Sequence, residues 1–250
     1  MWMQILLPRT RRQAIVFLAA LLPLMVTRPT RAAITFNDVV FNPVDWSDTV
    51  LARDPGATET VQQDTVGGNP GAFRHMMHQL PPSTAIDVFH EFLPASYNPA
   101  ATGAITRIDY SEDQIEFNPP FAGAKIRSAP ALIQGGIVYI GPANDYGNTT
   151  WQTHALPNLA AIDFTEFAGS THPNFSASGA PIHFGFFRFN AQTGSFPIVA
   201  DHGIDNWSIT VVPEPSTLCL IVSSMFCLGR SHRRHFTGAS RFKCRRATSC

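Results

Sequence analysis

Apolar residues recur along the chain in short runs broken by Gly, Pro and Asn, with few stretches at helical spacing. The runs predict strands at Ile34–Phe41, Ala72–Leu80, Ala85–Leu93, Ala104–Tyr110, Gln114–Phe117, Gly136–Ile140, Ile182–Phe189 and Asp205–Val212. Breakers such as Gly67-Gly68-Asn69-Pro70-Gly71, Asn118-Pro119-Pro120 and Ala191–Gly194 separate them. Trp207, Ile209 and Val211 alternate with Asn206, Ser208 and Thr210, the pattern of a half-buried strand. Ile86, Val88 and Phe92 alternate in the same way against Asp87 and Glu91. A helix is an option only near Leu156–Phe167, where Pro157 and β-branched residues oppose it. Strands without intervening helices predict an all-β fold, an antiparallel β-sandwich over residues 33–212.

Two flanking segments break the pattern. A basic stretch leads into the apolar run Ala14–Val26 and then small residues, the layout of a secretory signal peptide. The run is too short to span a bilayer, which takes about 20 apolar residues. Cleavage after Ala32 is expected, with Ala33 as the other position considered. At the far end Pro213-Glu214-Pro215 precedes the apolar run Leu218–Gly229 and then Arg230-Ser231-His232-Arg233-Arg234-His235. Two prolines stiffen an extended backbone that a protease cleft can accept. The apolar run would hold that site at a membrane, with the cations cytoplasmic. The domains expected are therefore a signal peptide (1–32), a sandwich (33–212) and a sorting segment (213–250).

The C-terminal order of motif, apolar helix and basic cluster resembles the PEP-CTERM sorting signal of Gram-negative bacteria. The resemblance implies an exosortase-type processing enzyme as partner. It also implies transient anchoring in the inner membrane through residues 218–229, then release or attachment at the outer surface or in the extracellular matrix. The apolar run here is interrupted by Ser223-Ser224, and the chain continues 15 residues past His235. A Pro-rich linker with a plain tail anchor is the alternative. In the body, Gly68–Arg74, Ile182–Asn190 and Gly203–Val211 are similar to strands of lectin-like jelly rolls. That resemblance implies a concanavalin A-like or laminin G-like sandwich.

Charge refines the picture once it is divided by region. The whole chain is formally neutral, with 18 basic and 18 acidic residues. Residues 1–32 hold five Arg and no acid; residues 33–212 hold six basic residues against seventeen acidic ones. A body at −11 lacks the basic face that nucleic acid requires. All four Cys lie between Cys219 and Cys250, so the body folds without disulfides.

Candidate chemistry is sparse. Asp38, Asp205 and Asn206 supply oxygens that could hold a structural calcium ion, because Asp205 shares the parity of the inward-facing Trp207. The competing reading is an Asp-Asn turn that caps backbone. Asp145, Tyr146 and Trp151 sit in one polar loop, where aromatic rings could stack on sugar faces. Trp151 starting a strand and packing inward is the alternative. Trp46 also lies in a polar context. Glu112, Asp113 and Glu116 form the densest carboxylate cluster, at a predicted turn. Family 16 glycosidases resemble this fold and carry Glu-x-Asp-x-x-Glu on a strand; Asp109 and Glu112 match its last two positions, but Arg107 takes the first. His75 and His78, three apart on a strand, point to opposite faces and do not chelate together. The function expected is an exported structural or adhesive surface protein without catalysis. A carbohydrate-binding module is the first alternative, with extracellular polysaccharide as partner, and a secreted glycoside hydrolase is the second.

Overall fold

The computed structural model describes residues 32–118 and 126–215. The predicted signal peptide, the apolar run 218–229 and the basic tail therefore lie outside the described residues. The thirteen strands are β1 (Ile34–Asp38), β2 (Trp46–Arg53), β3 (Thr58–Gly68), β4 (Gly71–Leu80), β5 (Thr84–Tyr97), β6 (Ile105–Glu116), β7 (Ile126–Gln134), β8 (Ile137–Ile140), β9 (Asn144–Tyr146), β10 (Gln152–Leu159), β11 (Thr165–Glu166), β12 (Ile182–Gln192) and β13 (Ile198–Pro213). They make an all-β antiparallel sandwich, with one sheet ordered β10-β6-β13-β4-β3 and the other β11-β8-β7-β12-β5-β2. β1 joins the first sheet on β13, and β9 joins the second on β7.

β13 organises the first sheet because it is long enough to serve three neighbours. Its first half pairs with β4 and its second half with β1, end to end along one edge, while β6 runs along the other. A bulge between Asp205 and Ser208, with Asn206 at φ +48°, shifts its register midway. Ile204 and Trp207, three apart, therefore both enter the core. The shift corrects the expectation for Asp205, which turns to the outer face although Trp207 points in.

Between the sheets, Trp46, Phe92, Phe184, Phe186, Trp207 and Ile209 form the centre of the core. Trp46 opens β2, is 6% exposed and lies 5.4 Å from both Phe186 and Trp207, so it is a core residue. The segment 104–117 forms one strand and not two, so Glu112 and Asp113 lie within a strand and not at a turn. In place of a helix at 156–167, residues Gln152–Leu159 pair with β6, and only a 3-10 turn follows at Ala161–Asp163. Among the described residues, no helix is long and apolar enough to cross a membrane. Pro213 closes β13 opposite Ile105, and the Glu214 amide donates to the Ala104 carbonyl at 2.8 Å. Pro215 is exposed beyond the sheet.

Candidate functional site

The centre strand of the second sheet carries an unusual pattern. In Ile182–Asn190 (IHFGFFRFN), Phe184 and Phe186 join the core, while Phe187 belongs to a separate apolar cluster on the outer face. Phe189 packs against that same outer cluster. The polar residues between them point the opposite way from a normal surface strand: Arg188 and Asn190 are buried between the sheets. β13 shows the ordinary arrangement, with Trp207 and Ile209 buried and Ser208 and Thr210 partly exposed.

Arg188 can face inward because β6 presents Glu112 to it. The guanidinium lies 3.1 Å from the Glu112 carboxylate, and neither side chain is exposed. Ser128 and Gln114 also donate to Glu112, and the Tyr110 hydroxyl donates to it at 2.7 Å. The Arg188 guanidinium stacks 4.5 Å from the Phe186 ring centre. Burial opposes charge on Arg188, but the Glu112 carboxylate beside it outweighs this and holds the guanidinium protonated. Glu112 and Glu116 are closed between the sheets, at 0% and 1% exposure. Asp113 lies on the other face of β6, where Thr153, Asn69 and Asn206 donate to it. The three carboxylates of the cluster therefore do not converge on one accessible surface.

The outer face of the second sheet holds an open cleft of about 370 Å³. Phe167, Phe187 and Ile140 are among its lining residues, and Arg127, Asp163 and Glu166 bring charge to it. Phe167 and Phe187 lie 6.2 Å apart between ring centres, at 52°. The short edge strand β11 positions this wall: it pairs with β8, and the Phe167 amide donates to the Val138 carbonyl. Glu166 accepts from the Thr171 hydroxyl at 2.6 Å, and Asp163 accepts from the Ala160 amide at 2.7 Å. Arg127 forms a two-pronged pair with Asp145, with Nε at 2.8 Å.

The loop singled out in the sequence is divided among three places. Asp145 faces outward opposite Arg127 and reaches the cleft edge through that pair. Tyr146, the next residue, is 6% exposed and packs with Ile126 between the sheets, near the Arg188 guanidinium. A ring so placed cannot stack on a sugar, which corrects the expectation for Tyr146. Trp151 lies on the outer face of the first sheet, against Phe73 at 5.5 Å, with its indole N–H donating to the Gly67 carbonyl. Gly203 permits that packing, since a Cβ there would come within 2.9 Å of Phe73 and 3.1 Å of Trp151.

The acids considered for calcium have protein donors. Asp38 accepts from the Trp46 indole N–H at 2.8 Å and from the amides of Val40 and Phe41. Asp205 accepts from the amides of Asn69 and Asn206, and the Asn206 side chain donates to Asp113. Burial raises the Asp205 pKa, against those two amides. Among the described residues, no group of three or more His, Cys, Asp or Glu is arranged to hold a metal ion. His75 and His78 do lie on opposite faces: His75 bridges Asp64 and Asp201, whereas His78 meets buried Asn190.

No family model matches the chain, and no curated protein matches it. Solved structures similar in fold include the family 11 carbohydrate-binding module of the cellulosomal cellulase Lic26A-Cel5E of Clostridium thermocellum. It is 12% identical, with 74% of this chain and 99% of that one covered, at a TM-score of 0.46. The carbohydrate-binding module TmCBM27, described for specific mannan recognition, is 12% identical over 72% of this chain and 99% of that one, at 0.39. A domain of tailspike protein 4 of bacteriophage CBA120 is 10% identical over 68% of this chain and 20% of that one, at 0.37.

Proposed function

We propose that the sandwich is a non-catalytic glycan-binding domain whose binding surface is the outer face of the second sheet. One observation carries this reading: the outer face of the second sheet opens into a cleft where half-buried Phe167 stands among Arg127, Asp163 and Glu166. Sugar rings lay their C–H faces on aromatic side chains, and their hydroxyls bond to carboxylates and guanidinium groups at the edges. Phe167, half-buried and packed against Phe187, offers the first kind of contact, and Arg127, Asp163 and Glu166 the second. Burial keeps Glu112 and Glu116 from acting as the carboxylate pair of a glycosidase, which must reach one bond.

Affinity electrophoresis in gels containing hydroxyethylcellulose, galactomannan or dextran tests the reading. Wild type is expected to be retarded by at least one of them, and Phe167→Ala, at a half-buried position, to migrate freely while keeping its thermal transition. Equal retardation of both proteins would contradict it.

The terminal segments supply the proposed location, outside the cell after export and C-terminal processing. Support comes from the order of signals at 1–32 and 213–250. Intact mass of the mature protein tests it. A species from Ala33 to near Pro215 is expected, and retention of residues 216–250 would contradict processing.

A further inference from the structure

Beside the cleft, one cross-strand row of the second sheet gathers Asp87 on β5, Phe189 on β12, Arg127 on β7 and Asp145 on β9. Asp87 is in register with Phe189, Phe189 with Arg127, and Arg127 with Asp145. Residues directly opposite on one face of a sheet have Cβ atoms about 4.5–5.5 Å apart, so these side chains form one continuous patch. Arg127 belongs both to this row and to the cleft lining. Its guanidinium lies 5.5 Å from the Phe189 ring centre. Phe189 and Asp87 are half-buried, and the Asp87 carboxylate accepts no hydrogen bond among the described residues. Asp87 feels Arg127 across the ring by charge alone.

We propose that Asp87, Phe189 and Arg127 form a second sugar subsite continuous with the cleft, so that the face takes an uncharged glycan chain and not a single sugar. This rests on the glycan-binding reading above. The half-buried ring offers an apolar surface, and the Asp87 carboxylate and Arg127 guanidinium flank it as acceptor and donor for ring hydroxyls. The choice of an uncharged chain follows from the local charge. Asp87, Asp145, Asp163 and Glu166 face one arginine, which Asp145 already engages, so a polyuronate or sulfated chain would meet like charge.

The test uses the polysaccharide that retards the wild type, with its disaccharide and hexasaccharide as calorimetric ligands and alginate as the polyuronate. Phe189→Ala and Asp87→Ala are expected to weaken hexasaccharide binding about tenfold, roughly 1.4 kcal/mol. Both should bind the disaccharide as the wild type does, and Phe167→Ala should lose both ligands. Alginate is expected not to retard the wild type. If Phe189→Ala fails to fold, Asp87→Ala carries the comparison. Hexasaccharide binding unchanged in Asp87→Ala, with Phe167→Ala still inactive, overturns the second subsite alone. Retardation by alginate equal to that by the neutral chain overturns the charge selection. Retardation of the wild type by no polysaccharide overturns the glycan-binding reading, and the subsite with it.

Discussion

Glu116 shows how much of this interior depends on single groups. It stands opposite His202 in the β6–β13 ladder, and its Oε2 and the His202 Nε2 are both buried without a hydrogen-bond partner among the described residues. Burial pushes the Glu116 carboxyl up to about 7. A carboxyl raised on folding stabilises fully below its unfolded value, and that contribution is lost as pH rises through the folded one. Glu116→Gln should therefore raise the melting temperature at pH 8 and flatten its decline between about pH 4.5 and 7. Melts across that range check this; a variant with the same slope as the wild type would contradict it. The residues most informative here were the least legible in the sequence. Glu112, Asp113 and Glu116 read as a solvated turn because charged residues seldom lie buried in mid-strand. The partner that makes burial tolerable for Glu112 is Arg188, 76 residues away. Local spacing holds no trace of that pairing.

Among the elements, β12 and β13 show where alternation serves as a guide and where it fails. Both were recognisable as strands, and inward Trp207 and Ile209 followed from parity. Parity then misplaced Asp205, because a single residue in the left-handed region reverses the faces. Asn206→Val should cost about 1–3 kcal/mol, since a β-branched residue is strained at φ +48° and forfeits the side-chain bonds to Asn69 and Asp113. Denaturant unfolding measures it, and a neutral result would mean the bulge relaxes. In β12 the spacing of Phe184, Phe186, Phe187 and Phe189 places aromatics on both faces of one strand, a local signal for the outer site that the loop 145–151 lacks. Arg188→Met would leave Glu112 buried without its partner, at a cost of about 3–5 kcal/mol. Adding Glu112→Gln should recover most of that loss, because the uncompensated charge is then gone; no recovery would mean the pair acts through packing.

At the scale of the molecule, the sequence gives an all-β body between two charged flanks, and the sandwich follows from regular punctuation and the absence of long helical spacing. The choice of face was not legible, because the cleft draws on β7, β8, β11 and β12 together with the turn before β11. Sheet order alone decides that these segments meet, and no local pattern encodes it. Two outer faces carry aromatic residues: Phe73, Phe117 and Trp151 on the first sheet, and Phe167, Phe187 and Phe189 on the second. The first set is knit together edge to face over Gly203, whereas the second borders an open cleft with charged residues at its edges. The measurement that separates them is an amide chemical-shift titration of the sandwich with the hexasaccharide of the polysaccharide that retards it. Shifts concentrated at Arg127, Phe167, Phe187 and Phe189 are the predicted result. Shifts concentrated around Phe73, Phe117 and Trp151, or none at saturating sugar, would contradict the assignment of the second sheet as the binding face.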